Sequence, residues 1–372
     1  MRIVQLLPEL NEGGVERGIM ELSRELVKLG HESIIISAGG KLVEQIEKDG
    51  GKHIVFDVAS KNLLTVPIRL LKLKHIFETL NPDILHARSR VPAWLSYLSN
   101  KTLHIPFVTT VHGFNSVNAY SKVMTYGDKV ICGSQFMVEH IVNHYKTNMD
   151  KIVCIPRGVD IDLFDTQLDK TFIDDFKKKY HLEDAFIITQ VARITHLKDQ
   201  KTAIKAFSEV KKKIKNAKLL FVGSVDKSRI NYYESLKEMI SHTGYSQDII
   251  FTGNQQKVKE IFAISDVSIS ASNKPETFGR ANVESIFMGT PIIATNIGAT
   301  ADYVIEGENG YLFSPNDFVA LANLIVKVKS SVFDTQKMKN YVKTHFSLTQ
   351  MVSKNMAVYE SVKLEKMGEV KT

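Results

Sequence analysis

Glu276 and Glu284 bracket the run Pro275-Glu276-Thr277-Phe278-Gly279-Arg280-Ala281-Asn282-Val283-Glu284 and stand eight residues apart. Carboxylates accept hydrogen bonds from hydroxyls, which is the recognition a ribose or a hexose needs. Gly279 lies between them, where a helix should begin. A helix start offers free backbone N–H groups and a positive dipole end, which suit a phosphate. Together these features point to a sugar nucleotide. On the expected helix Gly279 to Met288, Glu284 shares an apolar stripe with Ala281, Phe287 and Met288. A carboxylate buried there needs a partner, either a pair of ligand hydroxyls or a hidden salt bridge. Glu276, preceded by Asn273-Lys274-Pro275, reads as a site residue or as a loop charge.

Other chemistry-bearing positions come after strands. Gly13-Gly14 come after the first strand and before a helix, where glycine lets the backbone approach a phosphate or merely makes a tight turn. The dinucleotide fingerprint G-x-G-x-x-G is absent, which argues against NAD. His112-Gly113 close the strand Phe107 to Val111, placing a histidine at a carboxyl edge. Arg193 and Lys198 flank the loop after Phe186 to Val191, ahead of a helix expected from Asp199 to Phe207. Two cations there can clamp a diphosphate, Arg through two parallel N–H bonds and Lys as a point charge. They can equally be plain surface cations. There is no nucleophile elbow, P-loop or H-E-x-x-H. Asp160-Ile161-Asp162 has the form D-x-D but falls in a linker, so it reads as a turn and no metal is expected.

Positioning these residues requires a repeating scaffold, and the chain supplies one. Strands are expected at Ile3 to Leu7, Ile34 to Ser37, Ile84-Leu85, Phe107 to Val111 and Lys129 to Cys132. A second series runs through Phe186 to Val191, Lys218 to Val222, Ile249 to Thr252, Val267 to Ile269 and Pro291 to Ala294. Helical patterns alternate with them; Glu16 to Gly30 carries Ile19, Leu22, Leu26 and Leu29 on one face. Such alternation predicts α/β architecture with two parallel sheets. The linker is placed near Pro156 to Asp169. The domains are expected at 1–160 and 170–347, with a last helix in 348–372 that packs back on the first. Ligands of such sheets sit at the carboxyl ends of strands, so two facing sheets would line one cleft.

Composition sets the class. The chain has 372 residues, 44% hydrophobic and 24% charged, with a net charge of +7. From Lys61 to His104 the cations Lys61, Arg69, Lys72, Lys74, Arg88, Arg90 and Lys101 face only Glu78 and Asp83. The segment Val66 to Leu80 reads as a basic, apolar-faced helix, either a half-buried helix with solvated lysines or a dock for anionic lipid. Nucleic acid is one partner such a charge allows, alongside an anionic membrane surface or anionic substrates. Cys132 and Cys154 form no ligand pattern and read as core thiols of a reducing compartment. The N-terminus reads as a strand stopped by Pro8, not a signal peptide, and no apolar run approaches the roughly 20 residues of a membrane span. A cytoplasmic protein, bound at most peripherally to the membrane, is expected.

With these residues in order, the chain resembles the retaining glycosyltransferases of family 4, which have the GT-B fold of two Rossmann-like domains. Gly13-Gly14, His112-Gly113, the linker Pro156 to Phe164, Arg193 with Lys198, and the E-x7-E pair Glu276 and Glu284 carry the resemblance along nearly the whole chain. It implies that Arg193 and Lys198 hold the nucleotide diphosphate, helped by backbone N–H groups near Phe278 and Gly279. Glu284 would bind the ribose, Glu276 the donor sugar, and His112 the sugar near its reacting carbon, while Gly13-Gly14 approach the phosphates. It also implies metal-independent transfer with retention and no cofactor. Arg157 stands where family members often have Asn, and Lys198-Asp199 replaces a frequent Lys-Gly. The opening residues resemble members that build lipopolysaccharide cores. That implies a glycolipid or lipopolysaccharide-core acceptor, no nucleic acid partner, and GDP-mannose slightly ahead of UDP-glucose or UDP-GlcNAc as donor. A sugar-nucleotide 2-epimerase and a non-catalytic sugar-nucleotide sensor are the alternatives. The epimerase would form product from the donor without any acceptor.

Overall fold

The computed structural model describes residues 1–11 and 13–369, the side chain of Glu369 excepted. The expected positions 370–372 of the last helix lie outside the described residues. The chain divides into two compact units, Met1–Gly158 with the segment from Leu348 onward, and Val159–Ser347.

The first unit is built on seven parallel strands: β1 (Arg2–Leu6), β2 (Glu32–Ser37), β3 (Lys52–Val55), β4 (Ile84–Ala87), β5 (Phe107–Val111), β6 (Lys129–Cys132) and β7 (Ile152–Cys154). Their order is β3-β2-β1-β4-β5-β6-β7. The second unit holds β8 (Phe186–Val191), β9 (Ala217–Val222), β10 (Ile249–Gly253), β11 (Val267–Ser270), β12 (Ile292–Thr295) and β13 (Gly310–Phe313), in the order β10-β9-β8-β11-β12-β13. Both are doubly wound Rossmann-like sheets. In each, the strand order reverses beside the first strand, between β1 and β4 and between β8 and β11. At such a switch point the connections leave in opposite directions and open a crevice at the carboxyl ends.

Strand pleating explains the layering. Adjacent residues face opposite sides of a sheet, and the central strands of each sheet are covered on both. Val4, Leu6, Ile34, Ile36, Leu85 and Ala87 form one core of the first unit. Ile3, Ile84, Val108 and Ile131 form the other, against Leu22 and Leu26 and against Met351, Tyr359 and Val362 of the helix Leu348–Glu369. In the second unit Ile188, Leu219, Phe221 and Ile269 pack toward the helix Gln200–Lys213, and Ile187, Leu220 and Val222 pack on the opposite face. Runs apolar at successive positions, such as Ile34 to Ile36, are what strands buried on both faces require.

Local chemistry sets the element ends. The first helix, Gly14–Lys28, begins at the double glycine, two residues earlier than its apolar face alone indicates. The helix Val66–Leu80 buries Arg69, Leu73 and Phe77, a stripe at four-residue spacing. Cys132 and Cys154 are register partners on β6 and β7, and they form no disulfide. Burial first, with the neighbouring Cys154 second, pushes the Cys132 thiol up to about 12, so it packs as an inert apolar group. Asp160 stands at the start of the short helix Ile161–Phe164. No helix among the described residues is long and apolar enough to cross a membrane.

Candidate functional site

In the second unit, the loops leaving β8 and β11 are tied to each other. The backbone N–H of Asn273 donates to the Leu197 carbonyl at 3.0 Å, and its side-chain amide to the His196 carbonyl at 2.9 Å. Gln190, near the end of β8, donates to the Lys198 carbonyl at 2.7 Å. Asp199 then caps the helix Gln200–Lys213 through the Thr202 N–H. This frame aims Lys198 across the switch point, where its Nζ meets Glu276 Oε1 at 2.6 Å. Ser272 Oγ donates to the same oxygen. Burial pushes the Glu276 carboxyl up, but the Lys198 charge and hydrogen bonds from Lys198, Ser272 and Ser270 outweigh it. The net result lies below the usual carboxylate range. Glu276 is therefore an anion at neutral pH, with its charge already balanced.

The backbone of Glu276 is fixed as firmly as its side chain. Its carbonyl accepts from the Ala299 N–H at 2.9 Å. Gly298 passes so close that a Cβ there would stand 2.4 Å from the Glu276 oxygen, and its φ of +72° is one that glycine adopts without strain. Gly279, at φ +82°, starts the helix Arg280–Phe287; a Cβ there would meet the Tyr303 hydroxyl at 2.5 Å. The Phe278 ring is buried against Tyr303 and Phe346. The Phe278 ring is thus withheld from any ligand, and the helix start presents backbone at Gly279, the kind of group a phosphate requires.

Glu284 has a partner of its own. Arg280 Nε donates to its Oε1 at 2.7 Å, one turn back along the helix. The hidden salt bridge that the apolar stripe allowed is present. Arg280 sits at the first helical position, where a cation opposes the macrodipole, and Arg ahead of Glu is the weaker order for such a pair. This placement puts a cation at the helix start itself. Arg193 is exposed; its carbonyl accepts from Gln200, and its side chain makes no hydrogen bond among the described residues.

The first unit collects Gly13, Gly14 and His112. Gly13 and Gly14 open the first helix, and a Cβ on Gly14 would stand 2.9 Å from Arg157 Nη1. A cavity of about 280 Å³ is lined by Val15, Glu16, Arg88, Arg90, His112 and Asn115, among others. His112 Nδ1 lies 3.2 Å from Arg157 Nη2. A guanidinium can only donate, so Nδ1 accepts and the proton of the neutral ring sits on Nε2. That Nε2 is buried and has no partner among the described residues. Burial, then the charges of Arg157 and Arg88, hold His112 well below the usual histidine range. His112 is a neutral N–H donor, not an imidazolium.

His86 on β4 is its buried neighbour, 2.7 Å from both the Tyr359 hydroxyl and Thr110 Oγ1. Burial, then Arg88 and His112, keep it neutral too. Both histidines are depressed, so the stability they contribute is complete above the unfolded value near 6.5 and is lost as pH falls below it. Each can remove up to about 1.4 kcal/mol per pH unit while the unfolded state alone takes up its proton. Denaturant unfolding is therefore expected to show falling stability from pH 7 to pH 5.5; a flat profile refutes the neutral pair.

Sequence reasoning missed Ser270, Ser272, Arg280, Arg157 and Arg88. The serines, Arg157 and Arg88 give no spacing signal, and only the folded chain brings them to Glu276 and His112; Arg280 stands four residues before Glu284 on one helix, a spacing that could have found it. Arg157 had one pointer, as an unusual residue before Gly158.

Comparison with known proteins agrees with this division. Residues 12–163 match the family described as Glycosyltransferase Family 4, and residues 171–345 match Glycosyl transferases group 1. A glycosyltransferase of known structure from Rickettsia africae is 34% identical. It covers 97% of this chain and 98% of its own, at a TM-score of 0.90. The Anabaena protein Alr3699/HepE, solved with UDP and glucose, is 19% identical at a TM-score of 0.82, covering 97% of this chain and all of its own. N-acetyl-alpha-D-glucosaminyl L-malate synthase from Bacillus anthracis is 24% identical over 83% of this chain and 82% of its own. Two Rossmann-like units, each matched by its own family, make the chain a member of the GT-B glycosyltransferases, an enzyme with a family 4 N-terminal domain and a group 1 C-terminal domain.

Proposed function

We propose that the chain transfers a hexose, with retention, from a nucleotide-diphosphate sugar to a glycolipid or lipopolysaccharide-core acceptor without a metal. The observation that carries this reading is the Lys198–Glu276 pair at the β8/β11 switch point, beside the free N–H groups at Gly279. A diphosphate needs cations and backbone donors; a hexose needs a fixed hydroxyl acceptor. Arg193, Lys198 and the helix start hold the diphosphate, supplying the charge stabilisation of the leaving group that a metal otherwise gives. Glu276 accepts from the donor sugar and Glu284 from the ribose. The neutral Nε2–H of His112 donates to the sugar near its reacting carbon, and Gly13-Gly14 let the backbone approach the phosphates. The acceptor hydroxyl attacks the anomeric carbon from the face that the phosphate leaves. The C–O bond to phosphate breaks as the new C–O bond forms, and the leaving phosphate oxygen takes the hydroxyl proton.

The resemblance to lipopolysaccharide-core enzymes favours GDP-mannose. The Alr3699/HepE structures with UDP and with UDP-glucose, and the N-acetylglucosaminyl name of the Bacillus anthracis relative, favour UDP-glucose or UDP-GlcNAc. The fold shared with WaaG, a glycosyltransferase involved in lipopolysaccharide biosynthesis, supports the acceptor class, and the basic segment near Arg69 supports peripheral attachment to the membrane. A thermal-shift screen of the three donors in EDTA is the test, because a bound ligand raises apparent stability by mass action. One donor is expected to raise Tm and to be turned over in EDTA. No shift at millimolar concentration refutes the donor site, and activity that only magnesium restores refutes metal independence. Product formed from the donor alone would favour the epimerase.

A further inference from the structure

The first unit contains a second cavity, of about 310 Å³, lined by Ser60, Val66, Val91, Trp94, Leu98 and Tyr120, among others. It is walled almost wholly by apolar side chains. Arg69 closes one side by donating to the carbonyls of Asp57, Ser60 and Asn62, which folds the loop before the helix Val66–Leu80. Trp94 closes the other by donating from its indole to the Tyr120 carbonyl at 2.9 Å. The cavity opens beside Leu63 and Leu64, 81% and 88% exposed, on the same segment as the exposed Ile68 and Leu71. Four large apolar side chains so exposed on one segment are more than scattered surface residues, and an apolar patch of this kind marks an interaction site.

Charge defines the occupant. Lys61 lines the cavity and is exposed, and Lys72 stands exposed on the adjoining helix. Arg90, which lines the His112 cavity, lies 5.5 Å over the Tyr120 ring, and Val91 beside it in sequence lines the apolar cavity. The two cavities thus meet at Arg90 and Tyr120. A ligand spanning them carries an apolar chain on one side, with Lys61 at that cavity's wall, and a negative group by Arg88 and Arg90 on the other.

We propose that the apolar cavity seats the first part of the acceptor's hydrocarbon chain, with an anionic group of the acceptor, a phosphate or carboxylate, at the Arg90 side. The site rests on the transferase reading and narrows its acceptor to an anionic lipid. Its volume lies at the lower end of the range of about 300–1,000 Å³ for small-ligand pockets. The cavity therefore takes a short hydrocarbon segment, and Leu63, Leu64, Ile68 and Leu71 meet the remainder of the lipid tail.

Alkyl phosphates of eight, ten and twelve carbons, each below its micelle concentration, are the probes, titrated into the full chain by calorimetry. Binding is expected at one molecule per chain, tightening up to about fourfold for each methylene that is fully buried. Leu98→Trp, which fills the cavity, is expected to abolish the chain-length dependence, and Val91→Trp repeats the test from another wall. Circular dichroism and Tm verify that each variant is folded. Arg90→Ala is expected to weaken the phosphates while leaving the matching alkyl alcohols unchanged. Affinity independent of chain length, binding unaffected in both folded tryptophan variants, or attachment to anionic vesicles without any one-to-one complex overturns the site. Donor binding by the wild-type chain keeps the two readings apart. If a sugar nucleotide binds and the alkyl phosphates do not, only the lipid site falls. If the alkyl phosphates bind and no sugar nucleotide does, the acceptor role falls with the transferase reading.

Discussion

Replacing Lys198 by alanine is expected to weaken sugar-nucleotide binding by about 3 kcal/mol, roughly 150-fold in Kd. Arg193→Ala is expected to cost about 1.5 kcal/mol, roughly tenfold. Both cations are assigned to the same diphosphate; their surroundings separate them. Arg193 is exposed, so water and salt screen its contact. The Lys198 side chain is only 29% exposed and already neutralises Glu276, whose side chain is 18% exposed. Without Lys198, a half-buried carboxylate would stand uncompensated near an incoming anion. The alanine variant therefore loses an attraction and gains a repulsion. Calorimetry with the donor found by the thermal-shift screen checks the order. Raising the salt should shrink the Arg193→Ala penalty far more than the Lys198→Ala penalty. Equal penalties, or an unchanged affinity in either variant, would remove that residue from its assigned role.

Glu276→Gln should lower kcat/KM by about 1.5–3 kcal/mol, roughly 10- to 150-fold, because glutamine keeps the shape and loses the charged acceptor for the donor sugar. Its stability should fall by about 1–2 kcal/mol, between the values for exposed and for buried ion pairs. Because the folded-state carboxyl is depressed, this contribution is complete above about pH 4.5 and disappears as pH drops through the lowered value. The variant should therefore be less stable than wild type at pH 7 and converge with it in acid. The double variant Lys198→Ala/Glu276→Gln should cost less than the two single variants added, since the charge stranded by one is removed by the other. A kcat/KM within threefold of wild type would show that Glu276 serves the fold alone.

The strands and their order of appearance were legible because each is a short apolar run between turn signals. Three were missed: β3, β7 and β13. The first carries Lys52 and His53, the second is apolar but only three residues long, and the third begins at a glycine. At the site, Glu276 and Gly279 stood out as a carboxylate and a helix start within the eight-residue spacing of two glutamates, and Lys198 as the second cation of a loop ahead of a helix. The Lys198–Glu276 contact spans 78 residues and depends on Asn273 stitching two loops, which no spacing rule encodes. Glu284 was legible as a buried carboxylate in need of a partner; Arg280 was missed as that partner, although it stands one turn earlier, a pairing the i, i+4 rule could have supplied.

Tyr359 gives the end of the chain a stake in its first half. Its hydroxyl feels the Arg88 charge and lies 2.7 Å from His86 Nδ1, 273 residues away in sequence. The second unit, by contrast, begins and ends at neighbouring residues, since Val159 and Ser347 bridge in parallel and Val159 N donates to the Phe346 carbonyl at 2.8 Å. In the logic of gene architecture, it is an insertion whose ends meet, interrupting a host split at Gly158 and Leu348. A stop codon early in the last helix would therefore spare the inserted unit and injure the host. The damage would fall on the polar lattice beneath the His112 cavity, far from the lost residues along the message.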